Sequence, residues 1–243
     1  MPEDCFGEAV AAAYDESSAD VFEPAVVDPV VDFLAELAGQ GAALELGIGT
    51  GRIALPLAHR GIRVHGIDLS EAMVARLRAK PGGPEIPIAI GDFATTRVET
   101  TFSLAYLVFN TILNLTTQDA QVACFENVAA HLEPGGCFVI ETGLPALRKL
   151  PVGETLRASD ASAEHYCIDE YDVANQGLIS HHFWPAEGRT LSMPFRYVWP
   201  SELDLMARIA GMRPRERWSG WRREPFTSES GKLVGVWEKP GLG

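Results

Sequence analysis

The chain has 243 residues, of which 47% are hydrophobic and 22% are charged, and its formal net charge is −13. This length and composition predict one well-filled α/β domain and give no reason to expect disorder. The sequence has no apolar run long enough to span a membrane and no N-terminal signal pattern, so we expect no membrane partner and a cytoplasmic location.

The negative charge is concentrated at the N-terminus, where residues 1–51 contain no Lys or Arg. Nucleic-acid affinity depends largely on neutralising phosphates, so an acidic chain without a long basic stripe predicts no nucleic-acid partner. One basic cluster lies near Trp218 and Trp221, and we interpret it as a solvated face that balances the acidic N-terminus. Its members are Arg208, Arg213, Arg215, Arg217, Arg222 and Arg223.

The cysteines are scattered and include no Cys-x-x-Cys pair, which predicts reduced thiols rather than a disulfide framework or a zinc site. They are Cys5, Cys124, Cys137 and Cys167.

Residues 1–40 read as an N-terminal helical cap. An Ala-rich stretch from Glu8 to Tyr14 predicts a first helix, and residues 24–38 repeat apolar side chains at helical spacing up to Gly39, which ends the second helix.

A glycine-rich turn follows the first predicted strand, Ala42–Leu46. Gly47, Gly49 and Gly51 precede a helical pattern over residues 53–60, and strand, tight turn and helix start are typical of a nucleotide-binding βα unit. Arg52 occupies the position where the dinucleotide fingerprint has its third glycine. The spacing acid-x-Gly-x-Gly-x-Gly, which begins at Glu45, instead resembles that of S-adenosylmethionine sites.

Further strands and helices alternate up to residue 143. We predict strands over residues 62–67, 86–90, 102–109 and 136–141, and helices over residues 70–80 and 118–132. This alternation predicts a doubly wound parallel sheet with right-handed crossovers. Ligands of such sheets bind beyond the carboxyl ends of the strands, near the switch in strand order.

Polar residues stand at four of these strand ends: Glu45, Asp68, Asp92 and Asn110. A carboxylate in the place of Asp68 can accept hydrogen bonds from both hydroxyls of a ribose. Asp92 can accept from an adenine amino group while Phe93 packs beside the ring. We therefore expect the four residues to converge on one ligand.

The pattern changes after residue 143. Short alternating runs predict three antiparallel strands over residues 164–171, 178–184 and 190–199, in an insertion (residues 144–200) that we interpret as a substrate lid. An amphipathic helix over residues 200–210 follows. A hairpin of residues 212–220 and 233–238 then completes the main sheet, so that residues 201–243 form the last part of a single domain.

From about Leu44 to Thr142 the chain resembles the class I S-adenosylmethionine-dependent methyltransferases. The matching segments are residues 45–51, 68–70, 91–93 and 132–136, the last being a Leu-Glu-Pro-Gly-Gly turn into the fifth strand. Residues 109–111 and 196–224 are similar to a bacterial subgroup that methylates small molecules.

This resemblance implies a seven-stranded, mostly parallel Rossmann-like sheet with an antiparallel β insertion. It also implies S-adenosyl-L-methionine as cofactor, S-adenosyl-L-homocysteine as product, and methyl transfer to an O or N atom of a small-molecule acceptor. The predicted cofactor-binding residues are Tyr14, Glu45, Gly47, Gly49, Gly51, Asp68, Leu69, Met73, Asp92, Phe93, Phe109 and Asn110. Tyr14 and Met73 have the alternative of plain packing in their helices. Both a monomer and a homodimer remain open.

Methyl transfer is an in-line displacement in which the cofactor supplies the reactive carbon, so positioning is the main effect, worth ~7–11 kcal/mol. A base is needed only if the acceptor is protonated or weakly acidic. The candidates for this role are His181, His165 and Tyr166. Neighbouring strand residues face opposite sides, so His181 and His182 cannot both point inward.

We expect no metal site, because no acid or cysteine has a characteristic spacing to these histidines. Asn110-Thr111-Ile112 lacks the Pro-Pro-aromatic of enzymes that methylate amines of DNA bases. Two other classes remain open: a nicotinamide-dependent oxidoreductase, and an S-adenosylmethionine-binding protein without catalysis.

Overall fold

Helices and strands alternate through the first part of the chain, as the periodicity predicts. The computed structural model describes residues 7–17, 19–162 and 164–241. The helices are α1 (Glu8–Ser17), α2 (Pro24–Ala38), α3 (Ala54–His59), α4 (Glu71–Arg78) and α5 (Gln118–His131). The strands are β1 (Ala42–Leu46), β2 (Arg63–Asp68), β3 (Ile88–Ile90), β4 (Phe102–Leu107) and β5 (Leu132–Gly143).

The second part of the chain is mainly β-structure. It contains β6 (Leu156–Ala161), β7 (Tyr166–Asp172), β8 (Gly177–Trp184), β9 (Arg189–Arg196), β10 (Arg213–Trp218) and β11 (Lys232–Glu238). One helix, α6 (Pro200–Ile209), lies between β9 and β10.

The main sheet has seven strands in the order β10-β11-β5-β4-β1-β2-β3. Strands β1 to β5 are parallel to one another, while β11 is antiparallel to both β5 and β10. This confirms the predicted doubly wound, mostly parallel sheet closed by a C-terminal hairpin. The strand order reverses between β1 and β4, so the glycine turn after β1 and the end of β4 lie side by side.

Capping residues explain where two of the helices begin. The hydroxyl of Ser70 accepts a hydrogen bond from the backbone N–H of Met73 (3.1 Å), as predicted, and Thr117 does the same for Ala120 (3.1 Å). The helix boundaries lie within two residues of the predicted ones, except that α1 continues three residues beyond its predicted end, to Ser17.

Both faces of the main sheet are covered. One face packs on α2 and α3 through residues such as Phe33 and Val139, and the other packs on α5 and α6 through Phe125 and Trp237. Strand β4 contributes to both clusters, which is why its sequence is a continuous apolar run rather than an alternating one.

Strands β6 to β9 form a separate antiparallel sheet in chain order. We predicted three strands here, and the prediction was wrong about β6. All but one of its residues are exposed, including Leu156, which is 53% exposed, so the segment has no alternating apolar signal.

A buried ion pair anchors this second sheet on α5 and α6, which pack on the main sheet. Arg196, at the end of β9, donates to Glu202 on α6 (2.7 Å) and to the side chain of Gln121 on α5. Gln121 in turn donates to the carbonyl oxygens of Arg196 (3.1 Å) and of Ile112 (3.3 Å), in the 3₁₀ turn Thr111–Asn114 that follows β4. The second sheet is therefore joined to the end of β4.

None of the helices within the described ranges is long and apolar enough to cross a membrane. The predicted cytoplasmic location stays a prediction.

Candidate active site

The backbone of the glycine turn has a conformation and close contacts that exclude residues with a Cβ atom. Gly47, Gly49 and Gly51 all have positive φ angles, of 69°, 54° and 84°. A Cβ atom on Gly47 would lie 2.7 Å from Cγ2 of Thr111, and one on Gly51 would lie 2.9 Å from Cγ of Leu77. The turn thus packs directly against the segment after β4 and against α4, which only glycine allows.

Asp68 fixes this turn to the end of β2. Its Oδ2 accepts a hydrogen bond from the N–H of Gly49 (2.7 Å), and its Oδ1 accepts one from the N–H of Ser70 (2.8 Å). Burial raises the pKa of this carboxyl group, while the backbone N–H groups of Ser70, Gly49 and Leu69 favour its charged form. Each carboxylate oxygen keeps a lone pair that can accept from a ligand hydroxyl.

Glu45 lies inside the sheet rather than at its edge. The residue is 3% exposed, and its Oε2 accepts a hydrogen bond from the hydroxyl of Tyr106 on β4 (2.9 Å). Burial raises the pKa of Glu45 to about 8, although Tyr106, Arg52 and the backbone of Ala54 favour the charged form and Asp68 opposes it. Glu45 therefore stabilises the turn from within the sheet.

We expect Glu45→Gln to flatten the pH dependence of stability. Between about pH 4.5 and pH 8 the folded state holds a proton on Glu45 that the unfolded state has released, so the free energy of unfolding falls as the pH rises through this window. The change is on the order of a few kcal/mol, since each pKa unit corresponds to about 1.4 kcal/mol. Urea unfolding at pH 5.5 and pH 8.5 measures it, with Glu99→Gln at an exposed position as control. Equal pH slopes for the wild type and Glu45→Gln would contradict the assignment.

Asp92 and Phe93 lie in a loop after β3 that α5 holds in place. Asp92 is exposed, and its Oδ1 accepts from the N–H of Ala94 (2.8 Å). Phe93 is buried, and its carbonyl oxygen accepts a hydrogen bond from the side chain of Asn127 (2.8 Å), which also donates to Thr96 (3.0 Å). No local pattern could have identified Asn127, because its side chain bonds to residues more than 30 positions away.

Three other predicted cofactor residues surround the same edge. The terminal Cε of Met73 lies 3.5 Å from where a Cβ of Gly49 would be, so Met73 packs against the turn. Leu69 is 41% exposed beside it. Burial raises the pKa of the Tyr14 hydroxyl, an effect that Arg52 opposes and that Asp15 and Asp68 reinforce, so Tyr14 lies within electrostatic range of these charges.

A contact that the sequence did not predict ties α1 to the glycine turn. Asp15 accepts a hydrogen bond from the hydroxyl of Thr50 (2.6 Å) and forms an ion pair with Lys80, and Lys80 donates to the carbonyl oxygen of Thr50 (2.8 Å). The first helix therefore covers the turn.

Strained backbone marks the end of β4. Phe109 and Asn110 have φ angles of 58° and 64°, a region that residues other than glycine rarely adopt outside functional sites. Two hydrogen bonds to β5 stabilise this conformation. The N–H of Phe109 donates to Oε2 of Glu141 (2.9 Å), and the N–H of Gly143 donates to Oδ1 of Asn110 (2.5 Å). This conformation leaves the Phe109 ring 43% exposed, with the guanidinium of Arg52 5.0 Å from its centre.

A cavity of about 250 Å³ opens beside Phe109 on the α2 side of the sheet. Its apolar wall comes from residues 21–30, and its aromatic side chains are Phe109 and Trp221. The charged side chains that line it are Arg52, Glu141, Arg222, Glu224 and Lys232. Glu141 could have been predicted as a fifth polar strand end, whereas Lys232 reaches the cavity only through the pairing of β11 with β5.

The structure does not bring the three predicted catalytic residues together. His165 and His182 share one face of the second sheet, with His165 Nε2 and His182 Nδ1 3.0 Å apart. Tyr166 and His181 lie on the opposite face, where Tyr166 stacks on Phe183 and His181 contacts Ser192 (2.7 Å). Within the described residues, these side chains have no hydrogen bond or ring contact with the strand ends of the main sheet.

Ion pairs neutralise most of the basic cluster. Arg213 pairs with Glu238, Arg217 with Asp204 and Arg223 with Glu36. Cys124, Cys137 and Cys167 are free, and Cys5 lies outside the described residues. In the described part of the chain, no His, Cys, Asp and Glu residues form a group that could hold a metal ion.

Comparisons with known proteins agree with this fold. A family model described as a methyltransferase domain matches residues 43–136. The CcbJ methyltransferase of Streptomyces caelestis is 34% identical in sequence, and its structure superposes with a TM-score of 0.86 over 99% of this chain and 100% of that chain.

Two further relatives also match over nearly their whole length. The cypemycin N-terminal methyltransferase of a Streptomyces species is 25% identical over 94% of this chain and 98% of its own. S-adenosylmethionine-bound CalS10, an amino pentose methyltransferase of Micromonospora echinaspora, is 21% identical over 98% of this chain and 100% of that chain, with a TM-score of 0.68, and it supports the fold alone. On the evidence of the sheet, the glycine turn and a full-length relative at 34% identity, the chain belongs to the class I S-adenosylmethionine-dependent methyltransferases.

Proposed function

We propose that this enzyme transfers a methyl group from S-adenosylmethionine to an amine nitrogen of a small organic or peptide acceptor. The observation that carries the proposal is the carboxylate of Glu141, fixed at the end of β5 by the N–H of Phe109 and lining the cavity beside the Phe109 ring. A carboxylate next to an exposed aromatic ring favours an amine, through a charge-assisted hydrogen bond and a cation–π contact. The name of one relative also specifies an N-terminal acceptor.

The donors and acceptors around the glycine turn fit the cofactor. In this proposal Asp68 accepts from the ribose hydroxyls, and Asp92 and Phe93 hold the adenine with Leu69 and Met73 beside it. Because glycines carry no side-chain atoms, a ligand can approach the backbone of the turn closely at Gly47 and Gly49. Tyr14, Phe109 and Asn110 enclose the amino-acid end, and Glu45 is a positioning residue that acts through the turn and Tyr106.

The bound cofactor supplies an electrophilic methyl carbon. Glu141 accepts a hydrogen bond from the acceptor amine, which loses a proton to solvent before the nitrogen lone pair displaces the sulfur. Alignment supplies most of the rate, so no imidazole base is needed, and we assign no catalytic role to His165, His181 or Tyr166. The described residues of the second sheet (within residues 144–200) contribute no side chain to the cavity beside Phe109, and Gln121 joins this sheet to the turn after β4.

The test is radiolabelled methyl transfer to a panel of amines and their matched alcohols. We expect label in amines and not in alcohols. Glu141→Gln should lower kcat/KM for the amines by ~10–100-fold, the effect of one hydrogen bond to a charged group. Its affinity for S-adenosylmethionine should remain unchanged, because glutamine can still accept from Phe109.

Glu133→Gln, an exposed position on the same strand, should behave as wild type. Label in the alcohols alone would refute the amine assignment.

A further inference from the structure

More cationic than anionic side chains line the cavity beside Phe109. Three cations line it, and none of Arg52, Arg222 and Lys232 forms a salt bridge within the part of the chain that the structure describes. The cavity has two carboxylates, Glu141 and Glu224, which accept hydrogen bonds from the backbone N–H groups of Phe109 and Arg222. A net positive cavity in a chain of net charge −13 is a local arrangement rather than a consequence of composition.

The register of β11 on β5 places Lys232 near Glu141. Val234 pairs with Glu141 and Lys232 pairs with Gly143, so Lys232 and Glu141 are diagonal neighbours on one face of the sheet. Such neighbours are ~7–8 Å apart at their backbones, within reach of long side chains. The two opposite charges face the same cavity without forming a salt bridge.

Both chain neighbours of Arg222 are fixed on α2. The ring of Trp221 packs edge-on against Phe33 of α2 at 5.4 Å, and Arg223 lies over the same Phe33 ring at 4.8 Å while it pairs with Glu36. These contacts fix the loop on α2 and leave the Arg222 side chain at the cavity. Arg52 directly follows the glycine turn, so its charge lies at the cofactor end.

We propose that the cavity binds a zwitterionic acceptor, an amine that also carries a carboxylate, with the amine at Glu141 and the carboxylate at Lys232 and Arg222. This inference rests on the proposed function and adds the acceptor class to it. The apolar wall of residues 21–30, with Phe109 and Trp221, accommodates an apolar body. Its volume of about 250 Å³ is below the ~300–1,000 Å³ of drug-sized pockets, so the cavity holds a small amino acid or one end of a larger acceptor.

The test uses apolar α-, β- and γ-amino acids, each compared with its amide and with the amine that lacks the carboxylate. Labelled methyl transfer is measured for the wild type, Lys232→Met and Arg222→Met, and calorimetric binding to the protein loaded with S-adenosylhomocysteine is measured for the same compounds. Methionine keeps the apolar stem and removes the charge. Arg208→Met on α6, an exposed arginine, is the matched control.

We expect the amino acids to exceed their matched amines in kcat/KM by at least ~10-fold in the wild type and in the control. The ratio should fall to about one in Lys232→Met, through a higher KM for the acid at unchanged kcat and unchanged cofactor affinity. Methylation of amines with no preference for the acids would overturn the zwitterion assignment and leave the proposed function standing.

Carboxylate-dependent binding that is lost in Lys232→Met, without any methylation of nitrogen, would keep the anion subsite and refute the proposed function. If the amino acids neither bind nor react, the inference is wrong.

Discussion

Asp68→Ala should raise the dissociation constant of S-adenosylmethionine by at least ~100-fold. A hydrogen bond to a charged group contributes ~1.5–3 kcal/mol, and the variant removes the acceptor of the two bonds that we propose to the ribose. It also removes the acceptor that holds Gly49 (2.7 Å) and Ser70 (2.8 Å), so the turn loses its fixed shape. Calorimetric titration with S-adenosylmethionine and S-adenosylhomocysteine measures the loss, and circular dichroism reports whether the fold persists.

Two further variants serve as controls for this experiment. Asp68→Asn is nearly isosteric but turns an N–H₂ group toward backbone N–H donors, so it should bind almost as poorly as Asp68→Ala. Asp119→Ala, at an exposed position in the first turn of α5, should bind as wild type. The wild type should not bind NADH. Unchanged affinity in Asp68→Ala would mean that the ribose site lies elsewhere.

The cofactor edge of the sheet could be predicted because its signals are local. Buried parallel strands are continuous apolar runs, and the first polar residue after each run marks its carboxyl end. Asp68 and Asp92 follow this rule, and the sheet order then places them on the same edge as the glycine turn. Glu45 shows its limit, since the side chain lies within the strand and is 3% exposed.

The acceptor side depends on contacts that no local pattern contains. Lys232 comes beside Glu141 through an antiparallel register between segments 91 positions apart, and Arg222 reaches the cavity from a loop held by Phe33. Both positions follow from the tertiary fold alone.

The histidines illustrate a different limit. A period of two correctly separates His181 from His182, but it does not say which side chains lie beside them in the second sheet. In the structure His182 pairs with His165, and burial together with the neighbouring His165 lowers its pKa. The sequence pattern alone therefore could not place these histidines relative to the strand ends of the main sheet.

The anchor of the second sheet predicts the largest loss of stability. Arg196→Ala should lower the free energy of unfolding by ~3–5 kcal/mol, because removing one partner of a buried ion pair leaves the other charge uncompensated. The side chains of Arg196 and Glu202 are 7% and 12% exposed. Arg213→Ala is the matched control, since the Arg213 side chain is 66% exposed in its pair with Glu238 and should lose less than ~1 kcal/mol.

Urea unfolding of both variants measures this difference, and the double variant Arg196→Met/Glu202→Gln separates its causes. Burial disfavours the charged form of Glu202, but hydrogen bonds from Arg196, Gln176 and Gln118 outweigh it and lower the pKa. Removing both charges avoids an unpaired carboxylate, so the double variant should lose less than Arg196→Ala alone. A loss in Arg196→Ala no larger than that in Arg213→Ala would mean that the second sheet is held by its apolar contacts. The expected loss would instead show that the bonds of Arg196 to Glu202 and Gln121 attach the second sheet. Gln121 also bonds to the turn after β4.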